Sequence, residues 1–296
     1  MAVRRMEFGS ALPLLFLAVA VPGYPVTIQY SGGFGTGSTN FTGVANLGGC
    51  SGALLADGIH VLTAAHCAAS IAVNGTQTVL TPDISGLSFF TPSFSNGIAD
   101  AVIGVHINPL AALWFPTDLA NSALMYDLAI LDLAAPAPAD ATRYNLDLSG
   151  FAIAHNSPVT MAGWGLGGFP SGSVGGTGGS RRAGTNTVAG VLDTAVDGAL
   201  SVNLPDTPIE LLWTTTGPPN NPNDILDPNN TLGLSNAGDS GGPLLFNGNL
   251  IGITAFGNLP RGGLSGDIVL VGHTYDSGYM NLANPGNANF LNSCAV

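Results

Sequence analysis

The sequence predicts an all-β protein, either a sandwich or a pair of barrels, on three observations. Short β-forming runs recur between Gly, Pro, Asn and Ser clusters along most of the 296-residue chain. No long stretch carries the apolar periodicity of a helix, and only 285–293 reads as a short C-terminal helical turn. Composition agrees: 42 Gly and 20 Pro punctuate the chain, while 46% hydrophobic residues favour a packed interior over disorder. The length suits one large all-β domain or two small ones, and either buries a sizeable core.

The N-terminus reads as an export signal. Arg4 and Arg5 precede an apolar run, Ala11 to Val21, and Ala18-Val19-Ala20 is a small-residue cleavage site. Residues 1–20 are therefore expected to be a signal peptide and 21–296 the mature domain, secreted to the extracellular space or periplasm. The run is too short for a comfortable membrane span, so no membrane association is expected of the mature form. Export permits disulfides. Of three cysteines, Cys50 and Cys67 flank a strand-turn-strand stretch and form the natural pair, leaving Cys294 as a thiol. The chain has no Lys and a net charge of −12, which argues against nucleic acid or an anionic membrane surface as a partner. A monomer is expected, and no cofactor or metal site is read from the spacing of its residues.

In chain order, the first informative stretch is Gly48 to Cys67: a strand, an Asp57-Gly58 turn, a second strand and one helical turn. His66 falls just past a buried strand, where its side chain can enter a cleft, whereas His60 reads as an ordinary turn-flanking residue. Leu124 to Leu133 places Asp127 at the mouth of an apolar strand, with Asp132 inside it and assigned no role. An Ala-Pro-rich connection at 134–139 opens the boundary expected between two β units, near 134–158. After the β stretch Val159 to Gly165, residues 166–187 lack apolar periodicity and are expected to form a surface loop containing Arg181-Arg182. Short strands resume over 188–215. The Asn-, Pro- and Asp-rich 218–230 segment reads as a solvated loop in preference to a Ca²⁺ site.

The most informative stretch is Asn236-Ala237-Gly238-Asp239-Ser240-Gly241-Gly242-Pro243-Leu244-Leu245. A Ser between an Asp and paired glycines, ahead of an apolar strand, suits a nucleophile held in a tight turn. The backbone amides of Gly238 and Ser240 are then available to a carbonyl oxygen gaining charge. Acyl transfer by serine also needs a base for its proton and a carboxylate to orient that base. His66, Asp127 and Ser240 supply these in an order that separates folds. Asp-His-Ser would suggest a subtilisin-type fold and Ser-Asp-His an α/β-hydrolase, while His-Asp-Ser in a β-rich chain points to a double β-barrel.

Three segments resemble the signature blocks of the trypsin/chymotrypsin-like serine protease family. They are Leu62-Thr63-Ala64-Ala65-His66-Cys67, Tyr126-Asp127-Leu128-Ala129-Ile130-Leu131 and Gly238-Asp239-Ser240-Gly241-Gly242-Pro243. Ala162-Gly163-Trp164-Gly165 and Gly252 to Gly257 are similar to two further blocks, so the likeness runs from about residue 44 to about 290. The resemblance implies two six-stranded antiparallel β-barrels and a protein or peptide substrate. It implies His66 as general base, Asp127 as its orienting carboxylate, Ser240 as nucleophile, and Gly238 and Ser240 as the oxyanion hole. The Cys50–Cys67 pair matches the family's disulfide beside the catalytic His.

Two departures bear on specificity and activation. The position at the base of the family's primary pocket is Leu234, which cannot pair with a cation. A neutral, apolar side chain before the scissile bond is therefore expected, with Ser235, Gly257 and Gly278 also lining the pocket. Asn236 stands where the family has a cysteine. No processing site of the usual kind precedes the domain, so signal cleavage itself is read as exposing Val21 to pair with Asp239. The reading from a different class is a protease-fold binding or adhesive module without catalysis, and a serine esterase would share the acyl-enzyme chemistry.

Overall fold

The computed structural model describes residues 41–74, 77–83, 92–94, 97–98, 101–113, 124–149, 157–165, 181–188, 190–193, 210–216, 235, 238–257, 275–294 and 296. The expected signal segment, Val21, Leu234, Asn236 and the 218–230 loop lie outside them.

Strand dominates. In the N-terminal half the described elements are β1 (Val44–Asn46), β2 (Ser51–Leu54), β3 (His60–Thr63), helix α1 (Ala65–Ala68), β4 (Ala69–Asn74), β5 (Gln77–Pro82), β6 (Ser93–Phe94), β7 (Gly97–Ile98), β8 (Val102–Ile107), β9 (Ala112–Leu113), β10 (Leu124–Met125) and β11 (Ala129–Leu133). The C-terminal half adds β12 (Pro158–Gly163), β13 (Arg182–Thr187), β14 (Gly190–Asp193), β15 (Glu210–Thr216), β16 (Pro243–Phe246), β17 (Asn249–Gly257), β18 (Tyr275–Asn281) and helix α2 (Pro285–Ser293).

Two seven-stranded antiparallel sheets result, one in the order β7-β6-β1-β2-β3-β11-β8 and the other β13-β12-β16-β17-β18-β15-β14. The hairpin β4-β5 and the pair β9-β10 stand apart as two-stranded sheets. Six-stranded closed barrels were expected. The described ladders are seven-stranded, and among the described residues their outer strands are not paired with each other.

The pleat explains the core. Successive side chains in a strand point to opposite faces, so Leu62 and Ile130 join the cluster between the two sheets with Leu250, Ile253 and Phe290. Their neighbours Val61 and Leu131 turn to the other face and pack with Leu54 and Phe94. In the second sheet Leu245 faces the shared cluster, while Leu244 packs with Met161, Ile251 and Tyr279. Central strands buried on both faces therefore read as unbroken apolar runs. Each fully buried Leu or Ile contributes roughly 1.5–3 kcal/mol relative to exposure.

Local signals account for the connections. Asn247 and Gly248 both have positive φ, 50° and 82°, as a two-residue primed turn between β16 and β17 requires. Asp57 closes the β2–β3 turn by accepting hydrogen bonds from the amides of Ile59 (2.9 Å) and His60 (3.1 Å). Asn284 caps α2, its side chain accepting from Gly286 N at 2.9 Å, with Pro285 in the first turn. Between the halves, residues 144–147 touch both sheets: Tyr144 bridges Leu55, and Leu146 bridges Leu250.

One expectation fails at the end of the 166–187 segment. Arg182–Thr187 is a strand, paired residue for residue with β12, and Arg181 is buried with its guanidinium 5.9 Å from the Trp164 ring centre. Backbone pairing with β12 needs no apolar pattern, and the cation–π contact shelters the charge.

Candidate active site

Asp127 sits in the turn between β10 and β11. Leu128 N donates to Tyr126 O at 2.7 Å, a tight turn centred on Asp127, and Tyr126 itself has φ 50°. That conformation is uncommon for a bulky residue. Its surroundings hold it there: the Tyr126 ring lies against Gly286 at the start of α2, where an added Cβ would approach Tyr126 Cδ1 to 3.1 Å. Asn108 N donates to Leu128 O (2.9 Å), and Asn108 Nδ2 reaches Asn287 Oδ1 of α2 (3.1 Å). The C-terminal helix thus braces the turn that presents the carboxylate.

His66 lies in α1, immediately beyond β3. Ala64 provides no side-chain cap for this short helix. The Asp127 carboxylate serves instead: Oδ1 accepts from His66 N at 2.9 Å, and Oδ2 pairs with His66 Nδ1 at 2.6 Å. One carboxylate grips both the backbone and the ring of the same residue, satisfying an orphan helix amide and fixing the imidazole's orientation. Asp127 is 1% exposed, while 30% of the His66 side chain remains accessible. With Nδ1–H committed to Asp127, Nε2 is the nitrogen with a free lone pair.

Burial pulls the His66 pKa down, but the charge of Asp127 and its hydrogen bond push it up, and the upward effects win over the ordinary 6.5. A base works only when neutral. Were His66 to act as a general base, the rate it supports would rise with pH along an acid limb centred above 6.5, read from kcat/KM against pH. The sign for stability is opposite. A raised folded value stabilises the fold fully below the unfolded value near 6.5, and that contribution is lost as pH climbs through the folded value.

Ser240 is seated mainly by its backbone. Its carbonyl accepts from Ser51 N at 2.7 Å, and Cys67 Sγ lies 3.7 Å from the same oxygen. That sulfur is bonded to Cys50 and has no proton, so this is a packing contact. It sets Ser240 beside the His66-Cys67 dipeptide. No hydrogen bond joins Ser240 Oγ to His66 among the described residues. The Cys50–Cys67 disulfide expected from the sequence is present, and Cys294 is a free thiol. Cys50, Cys67 and His66 place three donor atoms close together, but the disulfide removes both sulfurs as metal ligands.

Ser51 is the residue that sequence reasoning missed. Fully buried, it donates from Oγ to Gly238 O (2.8 Å), accepts at Oγ from Trp164 N (2.9 Å), and accepts at its carbonyl from Thr63 Oγ1 (2.7 Å). With its amide on Ser240, it ties the first sheet to both the Ser240 turn and the Trp164 segment. A Ser between Cys50 and Gly52 in a buried strand was the available signal. Asp239, 2% exposed, accepts from Gly165 N at 2.8 Å and lies where side chains on Gly163 or Gly165 would stand.

Gly238 and Gly241 shape the turn itself, with φ of 96° and 81°. A Cβ on Gly238 would come within 2.9 Å of Gly165 Cα, and one on Gly241 would strike Thr63 Oγ1 and Ser51 O. Gly241→Ala is expected to destabilise the protein by more than about 4 kcal/mol, since strain and a backbone collision coincide. Urea denaturation measures it. The amides of Gly238 and Ser240 donate to no acceptor among the described residues.

Of the residues expected to line the specificity pocket, Ser235 is buried, and Gly257 and Gly278 lie one step apart on the paired strands β17 and β18. The chain was compared with protein-family models and with curated proteins, and it matches none of either.

Proposed function

We propose that this chain is a secreted serine endopeptidase acting through His66, Asp127 and Ser240, with a preference for a neutral or apolar side chain before the scissile bond. The observation that carries the reading is the double grip of buried Asp127 on His66, 2.9 Å to the amide and 2.6 Å to the ring, beside a serine in a glycine-framed turn. In this reading Ser240 Oγ attacks the substrate carbonyl while His66 Nε2 takes its proton. Asp127 stabilises the resulting imidazolium, and the amides of Gly238 and Ser240 hold the oxyanion. His66 then protonates the leaving amine, and water repeats the sequence on the acyl-enzyme. Apo sites often leave the nucleophile–base hydrogen bond open until substrate arrives.

The resemblance in the His66, Asp127 and Ser240 blocks supports the finer architecture as well, two antiparallel barrels of the trypsin/chymotrypsin type with the cleft between them. A disulfide fits an oxidising compartment, and among the described residues no helix is long and apolar enough to cross a membrane. The pocket preference rests on Leu234.

The test is labelling of the folded, processed protein with a fluorophosphonate, followed by peptide mass spectrometry. A stoichiometric adduct on Ser240 is expected, and a peptide library then reads the side-chain preference. Absence of any adduct on the folded protein would overturn catalysis in favour of a binding module.

A further inference from the structure

A line of buried asparagines runs between the two sheets by way of α2. Asn281 ends β18, Asn287 lies in the first turn of α2, and Asn108 directly follows β8, all three almost fully buried. Backbone partners fix which end each amide presents. Asn108 Oδ1 accepts from Leu110 N at 3.1 Å, so its NH₂ is the end that donates to Asn287 Oδ1, also at 3.1 Å. Asn287 Nδ2 in turn donates to Asn281 O at 2.8 Å, a carbonyl that can only accept. Asn281 Oδ1 takes the amide of Ala283 at 3.0 Å. The polarity runs one way, and turning any one amide over would set like ends face to face.

Each end of the line is anchored beside a candidate site residue. Asn281 pairs with Gly252 of β17, and Thr254 of that strand accepts from Gly241 N at 2.8 Å and donates from its amide to Gly242 O at 2.9 Å. At the other end, Asn108 N donates at 2.9 Å to the carbonyl of Leu128, the residue after Asp127. Gly286 lets α2 close on the Asn108 loop as well as on Tyr126, since a Cβ there would come within 2.9 Å of Leu110 Cδ1. The line thus fixes the Asp127 turn relative to the strand that holds the Ser240 turn, without passing through His66.

We propose that Asn108 and Asn287 are positioning residues, whose mutual hydrogen bond holds the Asp127 turn at the reach from which one carboxylate serves both the amide and the ring of His66. For its catalytic consequence this rests on the serine-peptidase reading. Stability alone would be served by an apolar pair at 108 and 287, because two matched hydrocarbon side chains need no partners. Phe290 and Leu291 already bury α2 in the shared core. The amide pair adds direction, which apolar contact lacks. Direction matters at Asp127, whose contacts to His66 are 2.9 and 2.6 Å. A retreat of about 1 Å from His66 would take both past hydrogen-bonding distance.

The experiment follows the His66 ring by NMR titration in the full chain, in Asn287→Ala, Asn108→Ala and the double variant, and in Ser293→Ala. The last removes a hydrogen bond of α2 to Phe290 O (2.7 Å) that lies outside the line. Turnover of a peptide substrate is measured alongside. Either asparagine variant is expected to lower the His66 pKa, since Asp127 supplies both upward influences on it. Each should also cut kcat by about 10- to 100-fold while KM stays within about twofold. The double variant should lose no more than the larger single loss, as the two ends of one bond do. Ser293→Ala should change neither quantity. Circular dichroism checks the fold, and either asparagine variant that folds decides the question. The titration needs no catalysis, so it reads the positioning role even in a protein whose Ser240 takes no fluorophosphonate, and failure of the peptidase reading stays separate. An unmoved His66 pKa in a folded asparagine variant, or an equal shift in Ser293→Ala, overturns the proposal.

Discussion

Ser240→Ala is expected to remove fluorophosphonate labelling and to lower kcat by on the order of 10⁶, the loss seen when a serine nucleophile working as a unit with its base is deleted. The substitution takes away one oxygen and nothing that holds the turn. The contacts seating this residue are the Ser51 amide on its carbonyl and the Cys67 sulfur beside it, and alanine keeps both. Thermal unfolding should therefore shift little while turnover collapses. An active-site titration with a p-nitrophenyl ester, run beside a melting curve, separates the two quantities. Full activity in a folded Ser240→Ala protein would sink the serine mechanism.

Asp127→Asn is expected to lower kcat about 10⁴-fold by a different route. Asparagine has one acceptor where aspartate has two. If its oxygen keeps the His66 amide, its NH₂ faces Nδ1, and the ring must turn that nitrogen into an acceptor. The proton then resides on Nε2, the atom that has to receive one from Ser240. The pH profile offers a second readout. Asp127 supplies both upward influences on the His66 pKa, so its replacement leaves burial in command, and the remaining acid limb moves to lower pH. A variant that loses rate with an unmoved limb would mean that Asp127 acts only as a structural cap for α1.

The elements legible in the sequence were those fixed by local chemistry. Asp57-Gly58 and Asn247-Gly248-Asn249 marked their turns because few residues tolerate the required backbone or close it with a side chain, and the short helical turn read at 285–293 is α2, whose Asn284 cap the structure adds. His66 and Asp127 were legible as a pair because each sits at the end of an apolar strand, and β3 and β11 prove to be paired neighbours. Long-range partnerships were not legible. Arg182–Thr187 became a strand through pairing with β12, which leaves no periodic trace in a polar segment. Ser51 looked like any small residue in a glycine-rich run, because its role depends on Gly238 and Ser240 nearly two hundred residues away. The pairing of His60 with Asp132 was hidden for the same reason: it is a cross-strand register, set by the whole sheet.

The position of Ser51 has a consequence for how the molecule comes apart. Three of its hydrogen bonds cross from the N-terminal sheet to Gly238, Ser240 and Trp164, so the seat of the serine is the seam between the halves. Parting the seam and dismantling the proposed catalytic centre are a single event, so on the proposed mechanism a partly opened chain would be inactive.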